Sequence, residues 1–266
     1  SIVKMPLMIH ALLIASEIFI PLLIISIIII VVLYRVKRQK KQLKYSERPL
    51  VNIHNKNSIE TITVEHSEHI SSAFVRINLL YSNIIRDLAI QDYVLLQKNK
   101  KKLNTLNMEV EGLKDDIFIY LQTKEDNSEV KQFYILTLEN LEDMVLAMTE
   151  ILKISRVHIN KNHKKLTFNQ IRDLKSLDAK ISSLFNKIEV AFKENSFDTF
   201  DLLASDAKEI LNRMTLMLEN HINKINSINN NPKNFKLYTK LIKKSSDLFG
   251  LLIEILNRYK DVYKQP

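Results

Sequence analysis

Apolar residues recur at spacings of three and four along most of this chain. One stripe runs through Ile70, Ala73, Ile77, Leu80 and Ile84, and a second through Leu103, Leu106, Val110, Leu113 and Ile117. A third holds Leu138, Leu141, Val145, Met148 and Leu152, and a fourth Leu174, Leu177, Ile181, Leu184 and Ile188. The fifth is Leu203, Ala207, Ile210, Met214 and Met217; the sixth is Leu241, Leu248, Leu252, Ile255 and Tyr259, with Ser245 in its one gap. That period puts one apolar face on each of six helices, suited to packing against nearly parallel neighbours.

The breaks between stripes carry helix-start chemistry. Asn127 and Ser128 precede the third segment, and Asn195 and Ser196 precede the fifth. Thr167 to Gln170 is a capping box, in which hydroxyl and amide satisfy each other's free N–H groups. Asn231-Pro232 is an N-cap followed by proline at the first helical position. Such short connections predict antiparallel neighbours. Glycine occurs only at 112 and 250, and no proline lies between Pro49 and Pro232. Gly-rich phosphate loops, tight hairpins and dinucleotide-binding turns are therefore excluded, and the expected class is all-α.

Ahead of these segments lies a different pattern. From Leu7 to Tyr34 the sequence is apolar, broken only by His10, Ser16, Glu17 and Ser26. A membrane-crossing helix needs about 20 such residues, so one crossing is expected within residues 1–36. Pro21 is tolerable there because neighbours can re-satisfy the freed carbonyl. Glu17 is the intramembrane polar candidate; it faces protein or a water path, or it marks the outer interface. A secretory leader would carry its basic residues before the apolar run rather than after it.

The net charge of +9 is concentrated just behind that run. Arg35, Lys37, Arg38, Lys40, Lys41 and Lys44 are expected to meet anionic lipid head groups, with the rest of the chain on the cytoplasmic side of a cell inner (plasma) membrane. Lys4 and Glu17 cancel, which leaves +3 on the remaining 222 residues, with acids and bases interspersed along the sequence. That distribution argues against nucleic acid as a partner. Residues 37–66 read as a basic juxtamembrane segment and polar linker, and 67–266 as the helical domain. The alternation in Ile59–Val64 would suit a strand, but it has no partner strand.

A faint internal repeat is also present. Asp143 matches Asp247, and Glu150-Ile-Leu152 matches Glu254-Ile-Leu256, at a constant offset of 104. The same offset lays Leu106, Val110 and Leu113 on Ile210, Met214 and Met217. Six segments then form two consecutive three-helix units.

Two such units in tandem resemble the PhoU-like architecture. The stretch Ile151–Ile188, with its Asn162-His163-Lys164 turn followed by a leucine and a new helix, is similar to the C-terminal cytoplasmic domain of a set of bacterial inorganic phosphate transporters of the PiT family. The resemblance covers residues 70–263 in segment order. It implies a regulatory domain whose partners are the transporter's membrane core, in the same chain or a partner chain, and a twin bundle across a homodimer. The transporters' Gly-Ala-Asn-Asp signatures do not occur here, and the chain opens on Ser1. The expectation is the tail of a longer transporter or a split-off partner of one, since one crossing cannot form an alternating-access path.

The resemblance also implies acidic metal motifs on the second and fifth helices. The matching positions hold Lys100, Lys101 and Asn104 in one unit and surround Lys208, with Asp206 and Glu209, in the other. Hard cations need converging carboxylate oxygens, so no metal or other cofactor is expected. With no cysteine there is no thiolate chemistry either.

His66 and His69, flanked by Glu65 and Glu68, have the spacing of a helical metal pair but read as a solvated helix start without a third ligand. His158 and His163 point to different sides of a helix and suit capping or the surface. His221 reads as a satisfied core histidine. The pairs Asp115-Asp116 and Glu142-Asp143 suit a solvated face, and no nucleophile context occurs, so no enzyme is expected. The leading function is the regulatory part of a phosphate transporter, acting by docking of the bundle. The alternative is a stand-alone membrane-anchored helical scaffold or signalling protein. A receptor would carry a periplasmic domain between two spans, and a signalling coiled coil would lack the capped breaks.

Overall fold

A computed structural model describes residues 25–30, 32–33, 59–122, 128–226 and 231–263. The chain divides into two compact units, 1–48 and 49–266. In the first, positions 25–30 and 32–33 are helical, and Ile25, Ile28, Ile30 and Leu33 are exposed. The rest of the apolar stretch lies outside the described residues, as do Glu17, Pro21 and the basic residues from Arg35 to Lys44. Among the described residues no helix is long and apolar enough to cross a membrane.

The described part of the second unit is all-α. Its helices are α1 (Ile59–Ala89), α2 (Tyr93–Gln122), α3 (Ser128–Asn160), α4 (Phe168–Lys193), α5 (Phe200–Asn223) and α6 (Pro232–Tyr263). A single 3-10 turn, Phe197–Thr199, leads into α5. Each apolar stripe lies within one helix, and its members are buried apart from Met217, which is half-buried against the core. One boundary differs from expectation: α1 starts at Ile59, inside the segment read as linker. The buried face that contains Ile70 continues backward through His66, one helical turn earlier, so the helix persists where polar composition suggested none.

The helix starts follow the sequence closely. Thr167 caps α4: the Gln170 amide N–H donates to its hydroxyl at 3.3 Å, and the Thr167 N–H donates to Gln170 Oε1 at 2.9 Å. Asn231 accepts from the N–H groups of Lys233 and Asn234 at 2.9 and 3.2 Å. Ser196 departs from the pattern: it precedes the 3-10 turn and makes no side-chain cap there. Thr167→Ala should cost about 1 kcal/mol, because the first amides of α4 lose an acceptor. Urea unfolding would measure it, and an unchanged midpoint would show the box to be idle.

Helix ends are terminated without glycine. Gln91, Asn162 and Asn195 each sit in the left-handed region, at φ of 60°, 51° and 52°. After each, the next N–H reaches back to a carbonyl in the last turn: Asp92 to Asp87, His163 to His158 and Ser196 to Ala191. This is the Schellman arrangement, with asparagine or glutamine carrying the strain that glycine would avoid.

All six helices run antiparallel to their sequence neighbours. Tyr93 at the start of α2 meets Arg156 near the end of α3, and Lys114 meets Glu139 and Glu142. Arg76 of α1 pairs with Glu109 of α2, Lys187 of α4 with Asp206 of α5, and Lys260 of α6 with Asp201 of α5. The halves are not separate bundles with separate cores. α3 packs along α6 and α1 along α4, across the midline, and one apolar core runs through both halves. α2 flanks α1 and α3; α5 flanks α4 and α6.

The offset found in the sequence recurs in this geometry. α1 ends at Ala89 and α4 at Lys193; α3 starts at Ser128 and α6 at Pro232. Gln91 and Asn195, the equivalent turn positions, share the left-handed conformation. Asn140 meets Glu254 at 2.7 Å, and the equivalent positions, Lys244 and Glu150, meet at 3.3 Å. Asn78 and Ser182, separated by 104 residues, touch at 3.1 Å, so they mark the axis of an approximate twofold. Ser245, the gap in the sixth stripe, is buried and hydrogen-bonded at 2.8 Å to the Tyr81 hydroxyl.

Candidate functional site

Alternating antiparallel helices gather three of the five connections at one end of such a bundle and two at the other. One end holds the connections α1–α2, α3–α4 and α5–α6. The helix halves and connections there, residues 75–107, 145–180 and 212–247, contain 21 lysines and arginines against 7 aspartates and glutamates. The opposite half reverses the balance, with 7 basic against 17 acidic among its described side chains. The domain is therefore strongly polarised along its helices. Charges interspersed along the sequence become segregated in space, so the premise that no folded face concentrates positive charge is corrected here.

Most of the basic side chains at that end are free to face solvent. Lys98, Lys100, Lys101 and Lys102 on α2 are exposed, as are Lys153, Lys175, Lys236, Lys240 and Lys243 on α3, α4 and α6. The ion pairs recorded here, Arg86–Asp87, Arg172–Asp173 and Lys244 with Glu150 and Asp247, involve few of them. Arg156 is committed elsewhere, its guanidinium lying 5.7 Å from the centre of the Tyr93 ring.

The α3–α4 connection is held by side chains from two helices. Buried His158 donates from Nε2 to the Lys164 carbonyl at 2.9 Å, and Asn234 of α6 donates to the Lys165 carbonyl at 2.6 Å. Two carbonyls are thus pulled inward while Lys161, Lys164 and Lys165 stay exposed. Burial lowers the His158 pKa against the opposing pull of that carbonyl, with nearby His163 lowering it further. His158 is a cap, as its place near a helix end suggested. His163 is not directed away from it: the left-handed Asn162 turns the chain back, and the rings meet at 5.2 Å.

An open groove of about 680 Å³ lies at the same end, between the start of α4 and the end of α5. Thr167, Asp173, Arg213, Lys224 and Tyr238 line it together with His221. His221 is half-buried rather than in the core; it stacks on Phe235 at 4.3 Å and donates to the Phe235 carbonyl at 3.3 Å. Burial lowers its pKa and, with Asp173 nearby, raises that of Tyr238.

The acidic end holds the pair read as solvated. His66 is fully buried and His69 nearly so, which corrects that expectation. His66 lies among Phe133, Tyr134 and Tyr259, with Nδ1 3.1 Å from the Tyr259 hydroxyl, while Nε2 has no hydrogen-bond partner among the described residues. Burial, with His69 close by, lowers its pKa to about 3. Its partners come from α3 and α6, which local spacing does not reveal.

No group of three His, Asp or Glu side chains among the described residues could hold a metal ion. Lys100, Lys101, Asn104, Lys208 and Glu209 are exposed, and Asp206 is bound by Lys187 at 2.7 Å. Asp115 and Asp143 are exposed, whereas Glu142 holds Lys114. The predicted membrane-contact residues Arg35, Lys37, Arg38, Lys40, Lys41 and Lys44 lie outside the described residues, as does Glu17. Sequence reasoning missed the basic end, although a signal existed: Lys161, Lys164 and Lys165 mark one connection, and Glu194 and Asp198 the next.

Fold and site together define an antiparallel six-helix bundle of two repeated halves, with opposite charge at its two ends. No family model, curated protein or solved structure matches the chain.

Proposed function

We propose that this chain is the cytoplasmic regulatory part of an inorganic phosphate transporter, a PhoU-like bundle carried next to a membrane-crossing segment within residues 1–36. The carrying observation is the doubled three-helix unit, with α1 on α4 and α3 on α6 about an approximate twofold, downstream of an apolar stretch and a basic run. The resemblance of Ile151–Ile188 to the PiT-family domain supplies the link to phosphate. Exposed faces of α2 and α5, which flank the core, are the surfaces available to the transporter's membrane core or to a twin bundle. A tethered domain has a high effective concentration beside its partner, so modest contacts suffice. Docking that differs between transport states shifts their populations by that difference and no more.

Deleting residues 67–266 while keeping the apolar stretch should leave phosphate uptake intact and abolish its adjustment to phosphate supply. Uptake of labelled phosphate by cells grown in scarce and abundant phosphate measures both. Unchanged adjustment after the deletion would overturn the proposal.

A further inference from the structure

We infer that the basic end of the bundle is a docking face for an anionic phospholipid bilayer. The first ground is charge: the Lys161, Lys164 and Lys165 connection stands beside Lys233 and Lys236 at the start of α6, all exposed. The second is an apolar side chain at each of the three connections. Ile90 is 55% exposed, Phe168, the first residue of α4, 78%, and Ile225, just past α5, 54%. Lysines around isolated apolar tips suit the bilayer interface, where ammonium groups meet head-group phosphates and the tips enter the acyl boundary.

A membrane fits this face better than nucleic acid does. The connections themselves present lysines, hydrated point charges without the planar fork that reads base edges, and the exposed Arg86 and Arg172 in the adjoining helix turns are paired with Asp87 and Asp173. Base stacking would also need exposed aromatic platforms, and only Phe168 offers one among these tips. The chain itself carries an exposed, uncharged helical stretch at 25–30 and 32–33, which water does not favour. The inference does not depend on which membrane protein the bundle serves.

The absence of cysteine makes the test direct. An environment-sensitive fluorophore would be placed on full-length Ile90→Cys, Phe168→Cys and Leu202→Cys variants. Leu202, 70% exposed at the acidic end, is the control for apolar exposure alone. Each variant is reconstituted in vesicles of phosphatidylcholine or of phosphatidylcholine mixed with phosphatidylglycerol. The probes at 90 and 168 should shift to the blue and be quenched by lipid-borne quenchers only in the anionic mixture, and the probe at 202 should not. Each lysine changed to glutamine among Lys161, Lys164, Lys165, Lys233 and Lys236 should weaken the response about fivefold. About 1 M salt, which shortens the screening length to about 3 Å, should abolish it. Circular dichroism of the glutamine variants checks that helicity is intact. Equal responses in neutral vesicles, an equal response at Leu202→Cys, or a response to an RNA oligonucleotide but not to anionic vesicles would each overturn the inference.

Discussion

Replacing Tyr259 by alanine should destabilise the bundle by about 3–5 kcal/mol, the range for deleting a fully buried aromatic ring. The ring is inaccessible to solvent and joins elements from both halves. Its centre lies 5.0 Å from Phe133 of α3 and 5.0 Å from Phe192 of α4. Phe197 of the 3-10 turn stacks on it at 5.8 Å, and Phe200 of α5 is 5.7 Å away. Neighbours from so many elements cannot collapse together into the vacated space without moving helices. Since domains are stable by about 5–15 kcal/mol, the loss takes a large share of the total. Tyr259→Phe keeps the ring and removes only the hydroxyl bonded to His66, so it should cost about 1 kcal/mol. Urea unfolding of both variants provides the comparison. Equal losses would mean that the hydroxyl, not the ring, holds this junction.

The six helices of the second unit, most of their limits and most of their buried faces could be read from the sequence because they rest on local physics. The stripe from Leu138 to Leu152 is buried throughout, and Thr167 and Asn231 cap as their side chains dictate. The offset of 104 was legible from Asp143 and Asp247, and it reappears as the contact between Asn78 and Ser182. What escaped depends on positions far apart in sequence. His66 is buried by Phe133 and Tyr259, the latter 193 residues away, and nothing adjacent to it announces that. The 3-10 turn at Phe197–Thr199 replaces a direct start of α5 because Phe197 and Phe200 both turn toward the Tyr259 ring. The basic end needs every helix direction before it can be seen: Lys101, Lys161 and Lys233 lie in three separate segments and share one end only because the helices alternate. Ser245 shows the reverse case, a break in a pattern that was visible from the start but gained its meaning from Tyr81 on another helix.

Acidification should destabilise this bundle through His66. Its pKa in the folded chain is about 3, because burial disfavours the charged ring and neighbouring His69 adds to the effect. In the unfolded chain it returns to about 6.5. Above that pH both states hold His66 neutral and it contributes no pH dependence. Below it the unfolded chain binds a proton that the folded chain refuses, so stability falls as pH falls, by about 1.4 kcal/mol per unit until pH approaches 3. Between pH 6.5 and 4.5 the loss should reach about 2 kcal/mol, since the unfolded ring is already half protonated at the upper limit. His158 and His221, also lowered by burial, act in the same direction, so the wild-type slope alone does not isolate His66. His66→Phe fits the aromatic surroundings and cannot be protonated, while the other two histidines remain. Its stability should therefore fall less steeply over the same interval, even if the lost bond to Tyr259 lowers it at neutral pH. Urea titrations at several pH values would give both slopes. Parallel slopes would show that His66 finds a proton acceptor in the folded state, and would remove the buried neutral histidine from this account of the aromatic junction.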